Sequence, residues 1–515
     1  MNGDSLACVR FESSERQILQ GTVQLEATDN VATALRPLKA DEKDVAEQIP
    51  RGHKIALSDI HKGDEIIKYG QLIGYASQDI QRGQHVHVHN LEYRNVQRDY
   101  VFGGDGPGST GGDCTDQFMG YVRENGTVGV RNTIAVLSSV NCSATAARRV
   151  AGHFDESRLR DFPNIDGVTA FVHGTGCGMA DSGEGFESLQ RVMWGYARNP
   201  NIAAVLMIGL GCEINQIDWL LEAYGLQSGP LFQILNIQDR CGLARTVTAG
   251  IEKIEAMLPI VNRNSRQSCP ASELKVALQC GGSDAWSGIT ANPALGHAVD
   301  KLVAIGGSGV LAETPEIYGA EHLLTARATS PEIASRLIER IDWWHDYTAR
   351  NGASLNNNPS PGNKAGGLST ILEKSLGAVS KGGKTPLRGV YRYAEHVSAR
   401  GFTFMDSPGY DPASVTGQIA GGCNLVAFTT GRGSAFGSKP SPCIKIASNP
   451  EMFRRMEDDM DINAGKILEG GSTIEEVGQE IYQLLLDVAS GKPSKSELQG
   501  LGEFEFVPWQ IGAVV

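Results

Sequence analysis

The pattern of hydrophobic and polar positions divides the chain into a short front part and a long remainder. Between residues 23 and 92, brief apolar stretches such as IAL, LIGYA and HVHVH alternate with turns that contain glycine. Short apolar runs separated by glycine turns are typical of compact modules built from short β-strands. The pattern therefore predicts a small β-rich domain over residues 23–92.

Residues 93–116 follow this module and have a different composition. They include the stretch GGDGPGSTGGDC, which is rich in glycine and serine and offers little apolar surface to bury. We therefore interpret residues 93–116 as a linker.

From residue 117 onward, longer apolar runs alternate with amphipathic segments. TIAVLSSV, GVTAFVHG, AAVLMIGLG, KVALQCGG and KLVAIGG are predicted strands, and SATAARRVAGHF, GEGFESLQRVMWGYARN and INQIDWLLEAYGL are predicted helices. Buried strands that alternate with helices indicate an α/β fold with a mainly parallel sheet. We divide this α/β region into 117–356 and 357–515 as candidate subdomains; the second contains an amphipathic helix around Ile474–Leu485.

Composition and charge narrow the classes of function. A formal net charge of −13 argues against a nucleic-acid groove, which needs clustered Lys and Arg. No apolar run approaches the roughly 20 residues that span a bilayer, and the first residues show no secretory signal. We therefore expect a cytoplasmic protein without membrane or nucleic-acid partners, in which the ten cysteines are reduced thiols or metal ligands.

Four predicted strands end in a loop that contains a cysteine: Cys142, Cys177, Cys212 and Cys280. A single buried cysteine is usually a small core residue. Because parallel strands place their carboxyl ends at one edge of a sheet, four such cysteines favour a site with thiolate ligands. Thiolates of this kind bind iron, either as an ion or as an iron–sulfur cluster.

Histidines form a second set of candidates. His173 lies four residues before Cys177 and is able to bind a metal or to act as a base. The HVHVH stretch predicts that His85, His87 and His89 share one face of a strand, because successive side chains alternate. An exposed polar face is the alternative explanation. GHK places His53 and Lys54 beside a turn.

Polar loops after the later strands supply further candidates. The loop CGGSDAWSGITANP carries Ser283, Asp284, Ser287 and Asn292, whose short hydrogen-bonding side chains suit a polyhydroxylated ligand. Such a loop also exposes backbone amides to a ligand.

Charged side chains follow in three other loops. Glu313 and Glu316 are candidates for metal binding or proton transfer, although Glu316 equally suits a helix start. Lys364 and Arg432 lie in glycine-containing loops that are suited to an anion. No phosphate-binding motif is present, so nucleotide binding has little support.

Several of these motifs, in order along the chain, resemble one family. GYVRENGTVGVRNTIAVLSSVNCSAT, HGTGCGM, GLGCE, QCGGSDAWSGITANP, NPSPGNKAGG, FTTGRG and DINAG are similar to the altronate/galactarate dehydratases, and residues 51–90 resemble their small SAF-type domain. HVHVHN and ETPEIYGAEHLL are closer to the altronate branch. The resemblance covers about residues 23–515.

The resemblance implies dehydration of an aldonic or aldaric acid to a 2-keto-3-deoxy acid, activated by a divalent metal such as Fe²⁺ or Mn²⁺. For D-altronate the product would be 2-dehydro-3-deoxy-D-gluconate. Alternatives are galactarate dehydration, a sulfolactate sulfo-lyase activity, and a sugar-acid sensor that lacks catalysis. The expected partner is a small sugar acid, and homo-oligomerisation is left open.

On this interpretation the candidate residues have the following roles. Metal ligands are expected among His87, His173, Cys142, Cys177, Cys212, Cys280 and Glu313. Lys364 and Arg432 are expected to hold the substrate carboxylate, with Ser283, Asp284 and Asn292 at its hydroxyls. The candidate bases are His173, His53 and Lys54.

Overall fold

The computed structural model describes residues 19–95, 98–103, 116–512 and 514. Residues 19–95 form seven short strands: β1 (Thr22–Val23), β2 (Val31–Ala34), β3 (Lys54–Ala56), β4 (Glu65–Lys68), β5 (Gln71–Ala76), β6 (His85–Val86) and β7 (Leu91–Glu92). They make two antiparallel sheets, in the orders β1-β2-β3-β6 and β4-β5-β7. The β-rich front domain predicted from the sequence is therefore confirmed, and we call it the front module.

The HVHVH stretch departs from the predicted continuous strand. Strand β6 ends at Val86, and residues 87–90 turn back because the amides of Asn90 and Leu91 both donate to the carbonyl of His87. The side-chain oxygen of Asn90 also accepts from the His87 amide at 2.9 Å. The turn leaves His89 exposed, while His85 and His87 are half-buried.

The middle region contains β8 (Gln117–Val122), β9 (Val128–Gly129), β10 (Thr133–Ser138), β11 (Gly167–Phe171), β12 (Ile202–Gly209), β13 (Phe232–Asn236) and β14 (Gln267–Pro270), with α1 (Ala144–Ala151), α2 (Glu156–Leu159), α3 (Glu184–Ala197), α4 (Ile217–Tyr224) and α5 (Leu243–Val261). Strands β10–β13 form a parallel sheet in the order β11-β10-β12-β13, and β14-β8-β9 is a small antiparallel sheet.

The last region contains β15 (Lys275–Cys280), β16 (Ser308–Ala312), β17 (Leu387–Tyr391), β18 (Gly401–Met405), β19 (Leu425–Thr430), β20 (Cys443–Ala447) and β21 (Ile462–Asn463). Its helices are α6 (Ala291–Ala304), α7 (Thr314–Ile317), α8 (Glu321–Thr325), α9 (Pro331–Arg350), α10 (Pro361–Ala365), α11 (Ile371–Val379), α12 (Asp411–Ala420), α13 (Pro450–Arg455), α14 (Ile474–Ala489) and α15 (Lys495–Leu498). The strands form one parallel sheet in the order β17-β18-β16-β15-β19-β20-β21. The predicted α/β class is confirmed.

One predicted strand is wrong. The residues KLVA at 301–304 belong to α6, where Leu302 and Val303 are buried and the helix packs against α14. The chain turns at Gly306, with φ of +90°, before it enters β16 at Ser308. The candidate carboxylate Glu313 follows β16 rather than a strand at 301–307.

Both faces of the seven-stranded sheet are covered. Along β15, Val276 and Leu278 pack in one hydrophobic cluster and Ala277 in another, as expected for alternating side chains. The first cluster also includes Ile73 of the front module, and the second includes Met207 of the middle region. The three regions therefore share their hydrophobic cores.

Further findings concern the predicted linker, the predicted subdomain boundary and membrane-spanning helices. The predicted linker lies partly outside the described residues, and its described part runs beside α8, where the Tyr100 hydroxyl donates to Glu321 at 3.0 Å. The predicted boundary between the two subdomains was residue 356. The seven-stranded sheet contains strands from both sides of it. Among the described residues, no helix is long and apolar enough to cross a membrane.

Candidate functional site

Three imidazole rings of the front module meet at its surface. Ligand atoms of His53, His85 and His87 all lie within 4.8 Å of one another, and His53 Nδ1 is 3.0 Å from His85 Nε2. The pairing of β3 with β6 causes this meeting, because Ile55 lies opposite His85 and His53 immediately precedes β3. We call these three residues the imidazole group.

The surroundings keep these rings neutral. Burial, together with the neighbouring imidazole and ammonium groups, lowers the pKa of His85 to about 4 and that of His87 to about 3. His87 Nδ1 is buried without a hydrogen-bond partner in the described structure. Neutral imidazoles with free lone pairs are suitable ligands for iron, zinc, copper and nickel. The imidazole group therefore fits a divalent metal of that class.

Glycines let loops of the last region approach the imidazole group. A Cβ atom on Gly367 would lie 2.4 Å from the Gly52 carbonyl, and one on Gly431 would lie 2.1 Å from the Asp284 carboxyl carbon. A Cβ on Gly366 would meet both Asp284 and Arg432. We call the loops at 281–284, 363–367 and 430–433 the glycine loops. The loop at 363–367 thus lies against Asp284 and Arg432 on one side and against His53 on the other, since His53 Nε2 is 3.4 Å from the Ala365 carbonyl.

The predicted substrate-binding residues differ in what their side chains contact. Arg432 is exposed and Lys364 half-buried, and neither has a carboxylate within 4.0 Å in the described parts of the chain. Ser283 is buried, and its hydroxyl has no partner there. These three side chains are therefore available to a ligand.

Asp284 and Asn292 are already occupied. The Asp284 carboxylate accepts from Ser287, from Ser448 at 2.8 Å and from Asn449 at 2.9 Å. The Asn292 amide donates to the Gly377 carbonyl and accepts from Thr429. Asp284 therefore holds the glycine loops in shape, whereas Asn292 joins α6 to α11 and β19.

Lys54 lies in a buried ionic triad that joins the front module to α11. Its ammonium donates to Glu373 and to the Gly367 carbonyl, each at 2.8 Å, and Lys68 donates to the other oxygen of Glu373 at 2.8 Å. Burial lowers the pKa of Lys54 to about 8, and Glu373 partly offsets that effect. Burial alone would raise the pKa of Glu373, but the two ammonium groups lower it well below its ordinary value. Lys54 therefore fixes the position of the front module.

A second buried cluster lies at the carboxyl ends of β15 and β16. The Cys280 thiol donates to Glu316 at 3.0 Å and accepts from Lys381 at 2.7 Å, and Lys374 contacts Glu316 at 2.6 Å. Burial and the Glu316 carboxylate raise the pKa of Cys280 to about 12, so it remains a thiol. Cys280 and Glu316 thus form an ion-paired network separate from the imidazole group.

Two carboxyl groups beside this network have raised pKa values. Glu313 adopts φ of +72°, and both of its side-chain oxygens are buried without a described partner. Burial and the charges of Glu316 and Asp411 raise its pKa well above 4.5. Burial and Glu316 raise the pKa of Asp411 to about 7. Asp411 begins α12, and a Cβ on Gly281 would lie 2.3 Å from its Oδ2.

The other predicted metal ligands lie at a different sheet edge. Cys142, Cys177 and Cys212 follow β10, β11 and β12 of the middle region, and all three are exposed. His173 follows β11 and lines a cavity of about 280 Å³ together with Arg148. Burial lowers the pKa of His173 to about 4, and its Nε2 has no partner in the described structure. The predicted metal ligands therefore lie in three separate places: the imidazole group, the carboxyl ends of β15 and β16, and the carboxyl edge of the four-stranded sheet.

Models of known protein families match three successive stretches of the chain. They are the altronate/galactarate dehydratase SAF domain at residues 20–94, the second domain of D-galactarate dehydratase/altronate hydrolase at 120–262, and the C-terminal domain of D-galactarate/altronate dehydratase at 271–514. Altronate dehydratase of Bacillus subtilis (strain 168) is 36% identical over 484 residues, which are 92% of this chain and 96% of the relative. The chain belongs to the altronate/galactarate dehydratase family.

Two other relatives show that the similarity of this family member extends beyond altronate dehydratases. Galactarate dehydratase (L-threo-forming) of Escherichia coli (strain K12) is 37% identical over 91% of this chain and 93% of the relative. The beta subunit of (2R)-sulfolactate sulfo-lyase from Chromohalobacter salexigens is 33% identical, over 75% of this chain and 96% of the subunit. The dehydratase relatives are hydro-lyases, and the predicted family and enzyme class are confirmed.

Several charged residues near the candidate site of this family member were not indicated by any sequence motif. Glu373, Lys374 and Lys381 lie in or just after α11, and Asp411 begins α12, without a recognisable motif. One signal was present in the sequence: ILEKSLGAV places two adjacent charges in an otherwise apolar helix. Charged residues are rarely fully buried unless they are paired. Such a pair inside an apolar helix therefore indicates buried ionic contacts.

Proposed function

We propose that this chain dehydrates D-altronate to 2-dehydro-3-deoxy-D-gluconate at a site between the imidazole group and the glycine loops. The observation that carries the proposal is their contact: His53 approaches the Ala365 carbonyl, and the glycines bring Arg432 next to the same loop. Cations without carboxylate partners, a free hydroxyl and neutral imidazoles then lie in adjoining parts of one surface.

The substrate carboxylate would bind to Arg432 and Lys364. A guanidinium forms two parallel hydrogen bonds with a carboxylate, and an ammonium adds a point charge. The hydroxyl of Ser283 has no described partner and is available to a substrate hydroxyl. An aldonate has one carboxylate, which matches the single pair of unpaired cations in these loops. This match favours an aldonate over galactarate, which has a carboxylate at each end.

His53, His85 and His87 would hold the divalent metal, with Fe²⁺ or Mn²⁺ as the candidates. When bound, such an ion supplies Lewis-acid stabilisation of the negative charge that develops on the substrate. Lys54, fixed by Glu373, holds His53 against the glycine loops. We therefore assign Lys54 a positioning role rather than the role of a base.

Asp411 is the proposed general base. Its pKa of about 7 makes it a carboxylate able to accept a proton near neutral pH, and it lies beside Gly281, two residues before Ser283. Asp411 would take the proton from the carbon next to the carboxylate. The C–O bond at the following carbon then breaks, and the departing hydroxide takes a proton and leaves as water. The resulting enol becomes the ketone.

Glu313 is the proposed proton donor to the departing hydroxide. Burial, Glu316 and Asp411 raise its pKa well above the ordinary value, which favours the protonated carboxyl group. Two carboxyl groups whose surroundings separate their protonation states are a common acid–base arrangement in enzymes. Proton removal and proton donation are thereby assigned to different residues.

A keto-acid assay over a panel of aldonates and aldarates, under anaerobic conditions with Fe²⁺ or Mn²⁺, tests the proposal. We expect turnover of D-altronate and little turnover of galactarate, with no sulfite released from sulfolactate. Turnover of galactarate alone would transfer the assignment to the other branch of the family. Sulfite release would instead indicate a sulfo-lyase, and tight sugar-acid binding without product would indicate a sensor.

The metal assignment has a matched pair of variants. Replacing His87 by alanine should lower the affinity for Fe²⁺ or Mn²⁺ by at least about tenfold and reduce turnover. Replacing His89, which is exposed and lies two residues further on, should leave both unchanged. Equal metal binding by the two variants would refute the assignment of the imidazole group.

A further inference from the structure

The described cysteines fall into two groups by burial. Four are buried, namely Cys269, Cys280, Cys423 and Cys443, and four are exposed, namely Cys142, Cys177, Cys212 and Cys241. Free cysteine is among the most frequently buried residue types. Four exposed thiols in one part of the molecule therefore require a chemical explanation.

All four exposed cysteines follow strands of the same sheet. They lie in the first loops after β10, β11, β12 and β13, which are the four strands of the parallel sheet in the middle region. The carboxyl ends of parallel strands meet at one edge, and neighbouring strands are only about 4.8 Å apart. The fold therefore collects the four thiols at one edge, although they are far apart in sequence. We call this arrangement the thiol edge.

Hydrogen bonds hold the loops of the thiol edge together. The amide of Asn141 donates to the Thr175 carbonyl, and the amide of Asn215 donates to the Gly176 carbonyl, both at 3.0 Å. Gly176 has φ of +100°, and a Cβ atom there would lie 2.4 Å from the Ser139 carbonyl. The loops that carry Cys142, Cys177 and Cys212 therefore converge on Gly176.

Two polar side chains reinforce this convergence. Glu213 accepts from the Ser139 hydroxyl at 2.6 Å and from the Gly211 amide at 2.7 Å, which links the loops after β10 and β12. The side-chain amide of Gln238 donates to Cys212 Sγ at 3.3 Å, from the loop that leads to Cys241. Hydrogen bonds to cysteine sulfur are one of the ways in which proteins tune iron–sulfur clusters.

We propose that the thiol edge holds an iron–sulfur cluster, with Cys142, Cys177 and Cys212 as ligands and Cys241 as the fourth. Thiolates select iron–sulfur clusters, zinc and cuprous copper. A single ion with bonds of about 2.3 Å needs its sulfur ligands within roughly 4 Å of one another. In the described chain, only the imidazole group brings three donor atoms within 4.8 Å. A cluster of several irons accepts more widely spaced sulfurs, so it suits the thiol edge better.

The test uses the full-length chain, reconstituted anaerobically with Fe²⁺, Fe³⁺ and sulfide, because the resting clusters contain ferric iron. We expect about two or about four acid-labile sulfides per chain and the same number of irons in addition to any ion held by the imidazole group, with visible charge-transfer absorption and an EPR signal after reduction. Each of the variants Cys142→Ser, Cys177→Ser and Cys212→Ser should lower the bound sulfide at least about tenfold. Circular dichroism checks that each variant remains folded.

Two controls separate this cluster from the proposed catalytic metal. Cys269→Ser changes a buried cysteine of β14 and should retain the full amount of sulfide. His87→Ala should also retain it while losing the separate divalent metal. Iron or zinc retained by His87→Ala without sulfide would overturn the proposal, as would unchanged sulfide in the three cysteine variants.

Discussion

At the carboxyl edge of the seven-stranded sheet, Cys280 and Glu313 are buried, whereas at the same edge of the four-stranded sheet Cys142 and Cys212 are exposed. Both edges arise from the same topology, in which parallel strands deliver polar loops to one side. The two edges differ in whether a helix packs over them. Helix α11 packs against α7 and against β5 of the front module, which closes the first edge, while the thiol edge lies open.

Whether an edge is buried under a helix determines the chemistry available there. Under α11, charges lie in a low-dielectric setting, so carboxylates and ammonium groups interact strongly and their pKa values separate. This explains why Asp411 and Glu313 have raised pKa values while Glu316, paired with Lys374 and Lys381, has a lowered one. At the open edge the four thiols are exposed, and the proposal above makes them ligands of a cluster. The following predictions test the contrast between the two edges.

The largest expected effect comes from removing the proposed base. Asp411→Asn should lower kcat by about 10²–10⁴-fold, because a general base contributes to that extent. In the unaltered chain, activity should rise as the pH increases through about 7, since only the deprotonated carboxylate accepts a proton. Steady-state assays across this pH range measure both effects, and Asp346→Asn, which changes an exposed carboxylate of α9, is the control. An unchanged kcat in Asp411→Asn would remove Asp411 from the mechanism.

Labelling with a thiol reagent compares the two edges directly. The pKa of Cys280 is raised from 9.0 to about 12, which lowers its thiolate fraction about 10³-fold at a given pH, and burial adds protection. In metal-free protein at pH 8, a thiol reagent should therefore modify Cys142 and Cys212 long before Cys280. Mass spectrometry of the labelled peptides identifies the order. Rapid modification of Cys280 would show that α11 does not close the first edge.

The ionic triad should contribute strongly to stability. Glu373→Gln leaves the ammonium groups of Lys54 and Lys68 buried without a counter-charge, and should lower the free energy of unfolding by about 3–5 kcal/mol. Breaking the exposed pair between Arg400 and Glu273 should have a far smaller effect. Urea unfolding monitored by circular dichroism measures both variants. A loss from Glu373→Gln no larger than that of the exposed pair would contradict the structural role of the triad.

The triad also predicts a pH dependence of stability. The ammonium groups hold the pKa of Glu373 below its ordinary value of 4.5. Its stabilising contribution is therefore full above the unfolded-state pKa and is lost as the pH falls toward the lowered folded-state value. Glu373→Gln should remove this part of the acid sensitivity.

The fold was more predictable than the site, for physical reasons. A strand buried on both faces, such as β12, is a continuous apolar run and is recognised easily. KLVA was misassigned because a short run in a buried helix has the same composition as a buried strand. The sequence placed thiols and carboxylates after strands but did not show which sheet each strand joins. The sequence therefore could not separate Cys280 from Cys142, or His173 from His53.

The smallest expected effect is that of Ser283→Ala. It tests whether this side chain of the covered edge binds a ligand or supports the structure. Because the buried hydroxyl of Ser283 has no described partner, Ser283→Ala should leave stability unchanged or raise it by about 1 kcal/mol. Loss of one hydrogen bond to the substrate should raise KM by about 2–10-fold with little change in kcat.

Ser287→Ala, four residues further on, is the matched comparison. The Ser287 hydroxyl donates to Asp284 at 3.0 Å and accepts from the Asp284 amide at 3.1 Å, so its removal should lower stability by about 1 kcal/mol. The two serines should therefore change stability in different directions, while Ser283→Ala has the more specific effect on KM. If Ser283→Ala instead destabilises the chain as Ser287→Ala does and leaves KM unchanged, the Ser283 hydroxyl supports the loop and does not contact the substrate.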